Sequence, residues 1–224
     1  MSPVAATAPR QRRKQARPQE LLDAALALFV EKGFAATRAE EVAQRAGVSK
    51  GTLYLYYPSK EELLKAVIGH FVSARIADTA QAVERHEGPI APLLEDILVR
   101  WWRDMYDSPG SGTFKLMIGE ARNFPEIAEF YVREVIEPGH RLTRRLLERG
   151  IASGEFRPVD VESAVHSLLL PLVMACTHKH AFGACTTHLL DAHRFIAHHV
   201  HLVTQGLLQA PPRIAGKPAS PSAR

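Results

Sequence analysis

The stretch that most limits what this chain can fold into runs from Thr37 to Glu62, TRAEEVAQRAGVSKGTLYLYYPSKEE. Thr37 and Glu40 have capping-box spacing, in which a threonine hydroxyl and a glutamate carboxylate satisfy each other's free backbone donors, so a helix is predicted from near Arg38. Val42, Ala43 and Ala46 give it a small apolar face, and Gly47 stands where a chain leaving a helix turns left-handed. Ser49 supplies an oxygen at the next N-cap, so Lys50 to Tyr56 form a second helix of about two turns. Pro58 stops it by pushing the preceding residue out of helical geometry. Ser59 with Glu62 then makes a second capping box that opens a third helix.

Two helices meeting at so short a glycine turn are a helix-turn-helix, whose second helix enters the DNA major groove. Ala43, Gly47 and Leu53 sit where that packing needs a small residue, a turn and a buried anchor. The second helix begins with Ser49, Gly51 and Thr52, small enough for backbone N–H groups to approach phosphate, and presents Lys50, Tyr54 and Tyr56 outward. Taken alone, the stretch also reads as an ordinary helical hairpin in an all-α core.

The flanking segments PQELLDAALALFVEKGFAATR and YPSKEELLKAVIGHF complete a wider pattern. Through Ala24, Ala25, Phe29, Gly33, Phe34, Thr37, Val42, Ala43, Gly47, Val48, Ser49, Gly51, Leu53, Tyr54, Tyr57, Lys60 and Leu63, residues 18 to 70 resemble the tetracycline-repressor (TetR) family of bacterial transcriptional regulators. Tyr57 departs from the phenylalanine commoner at its position. The resemblance implies an all-α homodimer, with an N-terminal three-helix helix-turn-helix DNA-binding domain and a larger C-terminal helical domain for effector binding and dimerisation. By the family's motif, Thr37 and Arg38 at one helix start, Ser49, Lys50, Gly51, Thr52, Tyr54 and Tyr56 on the reader helix, and Lys60 beyond it touch double-stranded DNA. Most of these are expected at phosphate, with Lys50, Thr52 and Leu55 best placed for base edges.

Charge is distributed unevenly. The formal net charge is +4, of which residues 1–19 carry +5 through Arg10, Arg12, Arg13, Lys14 and Arg17, while residues 61–210 carry −4. Residues 1–17 have no apolar period and are predicted to be a disordered basic arm, either lying along DNA or serving only as a solvated tail. The two cysteines, Cys176 and Cys185, make no disulfide framework and read as buried small residues, which points to a reducing, cytoplasmic compartment. No run of about 18 apolar residues and no signal-peptide core is expected, hence no membrane partner. A phosphate-cradling glycine loop, an HExxH helix, a serine elbow and a catalytic triad are all missing, which argues against an enzyme. The eleven histidines, His178, His180, His193, His198, His199 and His201 among them, lack regularly spaced carboxylate or cysteine companions, so neither a metal nor another cofactor is expected.

The predicted division is a DNA-binding domain at 18–64, an effector-binding and dimerisation domain at 65–209, and a disordered tail at 210–224. Helices are predicted from Pro18 to Lys32, Ser59 to His86, Ile90 to Tyr106, Thr113 to Asn123, and Pro125 to Ala152 with a kink at Pro138. Two further helices run from Asp160 to His178, apolar on nearly all sides and therefore buried, and from Asp191 to Leu208. The family resemblance implies that these last two helices pair with their copies in a homodimer. Candidates to line a pocket for a small apolar or amphipathic effector are Trp101, Trp102, Met105, Met117, Phe124, Phe130, Tyr131, His166 and Met174, with Glu120 as a polar anchor. Each is also readable as plain core, and Glu120 as a solvated helix charge. The expected function is a ligand-released repressor of a palindromic operator. A ligand-independent regulator, an activator and, more remotely, a helical enzyme remain as alternatives.

Overall fold

The computed structural model describes residues 10–183, 185 and 190–209, and among these the chain is all-α apart from one isolated bridge between Phe156 and Leu208. The first unit comprises α1 (Arg10–Lys32), α2 (Ala39–Arg45), α3 (Lys50–Tyr56) and α4 (Lys60–Ile68). Its core is Leu21, Ala25, Phe29, Phe34, Val42, Leu53, Leu63 and Leu64, all 0% exposed. Each large apolar side chain so buried contributes about 1.5–3 kcal/mol. The helix-turn-helix forms where the turn chemistry places it. Gly47 takes φ +67°, Ser49 accepts from the Thr52 N–H, and Ser59 accepts from the Glu62 N–H.

Two details at the N-terminus differ from expectation. Helix α1 starts at Arg10 rather than Pro18, so residues 10–17 are helical, while residues 1–9 of the expected basic arm lie outside the described residues. Residues 10–17 are all Arg, Gln, Lys or Ala, strong helix formers, and Pro18 removes only the bond its missing N–H would have made to the Lys14 carbonyl. Helix α2 is capped one residue later than expected, with Arg38 as N-cap and its N–H donating to Glu41 Oε2 at 3.0 Å. Thr37 turns inward instead, its hydroxyl donating to the Gly33 carbonyl at 2.7 Å with the Leu28 carbonyl at 3.2 Å.

Helix α4 runs through a π turn, Gly69–Ser73, into α5 (Ala74–Glu84), so one continuous rod joins the two halves. After it come α6 (Ile90–Asp107), α7 (Gly112–Glu120), α8 (Pro125–Tyr131) and α9 (Glu137–Ala152). The expected kink before Pro138 is a second π turn, Val132–Ile136, which links α8 to α9 without a break. Pro138 has no N–H to return to the carbonyl four residues back, and the preceding turn widens. Helix α6 starts at Pro89 with no side-chain cap of its own, and Glu155, from the loop after α9, accepts from the Ile90 and Ala91 N–H groups at 2.8–2.9 Å.

The last helices are α10 (Val161–Phe182), capped by Asp160, and α11 (Ala192–Leu207), capped by Asp191. By length and overall composition α10 is the one helix among the described residues long and apolar enough to cross a membrane, although Glu162, His166, Ser167 and Thr177 interrupt it before any run of 18 apolar residues forms. Only one side of it is buried, through Ala164, Val165, Leu168, Leu172, Ala175 and Cys176, while Leu170, Met174 and Phe182 are more than half exposed. Burial raises the Cys176 thiol to about 12, so it stays neutral, whereas Cys185 is exposed rather than buried as expected.

Candidate nucleic-acid interface and internal cavity

Helix α3 is held from behind by Leu53, which is fully buried, and presents its other residues outward. Leu55 is 85% exposed, and Tyr54 and Tyr56 are 38% exposed each. A leucine left so bare has no packing partner among the described residues. Lys50 lies over the Tyr54 ring, 5.8 Å from its centroid, and pairs with Glu40 of α2. Ser49 and Thr52 hydroxyls meet at 2.9 Å at the start of the helix, and Arg38 is exposed beside them in sequence order at the start of α2. A Cβ at Gly51 would meet nothing closer than Ser49 Oγ at 3.8 Å, so nothing inside the protein requires glycine there. The frame behind the helix is tied by exposed ion pairs, Lys32 with Glu41 at 2.7 Å and Arg45 with Glu31 at 2.8 Å.

Two predicted contact residues are committed elsewhere. Thr37 is 1% exposed, its hydroxyl spent on the carbonyls of Gly33, just after α1, and Leu28. Lys60 folds back under the loop between α1 and α2, donating to the carbonyls of Phe34 at 2.8 Å, Thr37 at 3.0 Å and Ala35 at 3.2 Å, with its ammonium 4.4 Å from the Phe34 ring centroid. The same loop is gripped from the other side. Glu120, the last residue of α7, accepts from the Phe34 N–H at 2.9 Å and lies 3.4 Å from the Ala35 nitrogen. Gly33 admits that carboxylate through φ +87° and the absence of a side chain, since a Cβ there would stand 3.0 Å from Glu120 Oε1. Phe124 stacks edge-on against Phe34 at 4.8 Å.

A cavity of about 440 Å³ opens within the larger domain, between the α4–α5 rod, α6, α7, the α8–α9 run and α10. Of the predicted lining residues it takes in Trp101, Trp102, Met117, Tyr131 and His166. The other five are corrected. Met105 is fully buried beside Ser108 and Gly110, and Met174 is 58% exposed on the outer side of α10. Phe130 meets Lys65 and Arg133, and Glu120 and Phe124 serve the loop at Phe34. Met105 and Met174 lie one turn beyond the cavity-lining Trp101 and Leu170, and the other three turn to neighbours outside the cavity. Sequence reading missed Gly139, His140 and Thr143, which recur on one face of α9, as well as Ile76 and Thr79 on the rod.

The cavity wall is almost wholly apolar. The Thr79 and Thr143 hydroxyls donate to carbonyls of their own helices, at Arg75 and Gly139, which leaves the Trp101, Trp102 and Tyr131 side-chain donors and the His140–His166 pair as the distinctive polar groups. Burial lowers the pKa of His140, and burial raises that of the Tyr131 phenol. Five other histidines have separate partners, His86 at the Pro89 carbonyl, His180 at Ser111, His193 on Asp107, His199 on the Leu168 carbonyl and His201 on Glu95. Among the described residues no three His, Cys, Asp or Glu side chains converge as a metal would require.

Comparison with known proteins places these two features together. Residues 21–67 match the profile described as bacterial regulatory proteins, tetR family, and residues 87–192 match a tetracyclin repressor-like C-terminal domain. The chain is 30% identical over 192 residues to the HTH-type transcriptional regulator RutR of Escherichia coli strain K12, covering 80% of each protein. It is 29% identical over 157 residues to the HTH-type transcriptional repressor KstR2 of Rhodococcus jostii, covering 69% of this chain and 76% of that one. In fold it is similar to the regulator FadR of Bacillus subtilis, solved in complex with stearoyl-CoA, with a TM-score of 0.70 at 18% identity over 84% of this chain and 98% of that one.

Proposed function

The chain belongs to the TetR family of DNA-binding transcriptional regulators and is not an enzyme, and from that premise we propose that it is a homodimeric repressor released from a palindromic operator by a small ligand. The observation that carries this reading is the outer face of α3, where Leu55, Tyr54 and Tyr56 stand exposed beside Lys50 with no apolar surface packed over Leu55 among the described residues. Lys50 and Thr52 are placed to hydrogen-bond base edges and Leu55 to meet a thymine methyl, while Arg38, Ser49, Tyr54 and Tyr56 serve phosphates. Gly51 leaves room for the DNA backbone. Two such heads on one dimer read major-groove faces about 34 to 36 Å apart or somewhat more.

Ligand release is supported by the cavity, which abuts the rod carrying α4 and the helix whose last residue grips the reader frame. That FadR holds stearoyl-CoA supports an effector site in this fold. Converting a dimer from 99% competent to 99% incompetent needs about 5.5 kcal/mol of differential affinity, within reach of one well-filled apolar cavity per subunit. Fluorescence-anisotropy titration against DNA from upstream of the chain's own gene and against scrambled DNA, at two salt concentrations, tests the reading. The expected result is salt-dependent binding that prefers the upstream DNA about a thousandfold. Equal affinity for both sequences speaks for an architectural DNA-binder, and no binding by a folded dimer rejects the DNA-reading role for α3.

A further inference from the structure

The composition of the cavity wall limits what enters it. Among the described residues that line it there is no Asp, Glu, Lys or Arg, and its only imidazoles are those of His140 on α9 and His166 on α10. Their rings lie 5.0 Å apart, nearly perpendicular at 77°. His166 Nδ1 sits 2.8 Å from the Glu162 carbonyl oxygen, which only accepts, so Nδ1 carries its proton and Nε2 is left to meet another group. Around the pair stand Glu162 and Arg144, and these are spent on each other through a two-pronged bridge at 2.6 and 2.9 Å. His166 is exposed and Leu170, one turn along α10, is 56% exposed, so the imidazoles stand at the mouth, whereas Trp102 and Met117 are buried inside.

A cation in this cavity finds no carboxylate to offset its lost hydration, and a polyanion has too few donors. A single acidic head at the mouth finds two imidazoles able to take up a proton and donate to it, with the apolar interior left for the body of the ligand. Resting on the cavity being the effector site, we propose that the effector is an amphiphile with one acidic head, a medium-chain monocarboxylic acid being its simplest form, its head at His140 and His166 and its chain against Trp101, Trp102 and Met117.

The chain's two tryptophans both line the cavity, so their fluorescence reports its occupancy directly. The test titrates the full-length protein with decanoic acid, 1-decanol and decylamine, each below its aggregation threshold, by tryptophan fluorescence and calorimetry between pH 6 and 8. The acid is expected to bind at least about tenfold tighter than the alcohol at pH 6, and the amine weakest. A bound carboxylate raises an imidazole pKa, so the complex takes up a proton and binding tightens as pH falls, by up to about tenfold per unit. Arg144 holds the Glu162 carboxyl below the ordinary carboxylate range, so Glu162 does not titrate in this window. The double variant H140Q/H166Q keeps polar side chains that cannot charge. It is expected to bind the alcohol as before while losing both the preference for acid and the pH dependence. Equal affinity for acid and amine, or a double variant that retains the acid preference, overturns the headgroup assignment and leaves the cavity a ligand site. Failure of all three probes to bind overturns the effector-site reading and this inference with it.

Discussion

Lys60 carries its charge close to the reader helix, yet each of its three ammonium protons has a carbonyl to meet, at Phe34, Ala35 and Thr37. Its removal therefore falls first on the fold. Lys60→Ala is expected to cost about 1–3 kcal/mol and lower Tm by several degrees, with DNA affinity at temperatures well below Tm nearly that of the parent. Differential scanning calorimetry beside anisotropy titration separates the outcomes, since an unchanged Tm with uniformly weakened DNA binding would make Lys60 a phosphate contact after all. Lys50→Ala is expected to behave in the opposite way, leaving Tm alone and relaxing preference at particular base pairs. The contrast marks how far single residues were legible in the sequence. Ser49, Ser59 and Gly47 do what local capping and turn chemistry requires, because their partners lie within a few positions. Thr37 spends its hydroxyl on the Gly33 and Leu28 carbonyls, 4 and 9 positions back, where the capping rule looks only forward, and Lys60 reaches the loop after α1, 26 positions back, where no spacing rule reaches.

At the scale of elements, α7 serves two neighbours with two faces. Phe114, Met117, Ile118 and Ala121 line the cavity, while Glu120 stands about a third of a turn from the centre of that face and grips the loop that positions α2. Reading Met117 and Phe124 as one apolar surround for Glu120 put all three in the pocket, since composition names the residue types of a helix more readily than the neighbour each face will meet. The helices themselves, from their caps and prolines, came within a few residues of where they lie, α1 excepted, since its helical start runs on through Pro18. Phe34 is fully buried, so Glu120→Ala leaves its amide without an acceptor, at a cost of about 1–3 kcal/mol. Hydrogen exchange is expected to quicken selectively in residues 33–37, with α9 and α11 unchanged. Uniform exchange in that loop would mean that the two domains are joined there by Phe124 and Phe34 rather than by the carboxylate.

For the whole molecule, the decisive surface is one that the described residues leave uncovered. Leu170, Met174 and Phe182 recur at intervals of four or eight along α10, and Leu202 of α11 is 57% exposed. Large apolar side chains aligned in this way on the last two helices mark a protein–protein contact. The hydropathy of α10, apolar on nearly all sides, says that it is buried but not against what, because sequence does not distinguish burial within one chain from burial between two, and only the family resemblance points to a second copy. In the proposed homodimer a second copy covers this surface and sets two α3 helices at a fixed separation. The variant M174E/L202E leaves the cavity lining untouched and places charge on that surface. It is expected to sediment as a monomer with helicity retained. Its operator affinity should fall by about a hundredfold or more, since the second head no longer binds at the high effective concentration that the first confers. A variant that remained dimeric and bound operator as tightly as the parent would place the subunit interface elsewhere and leave the α10 stripe to another partner.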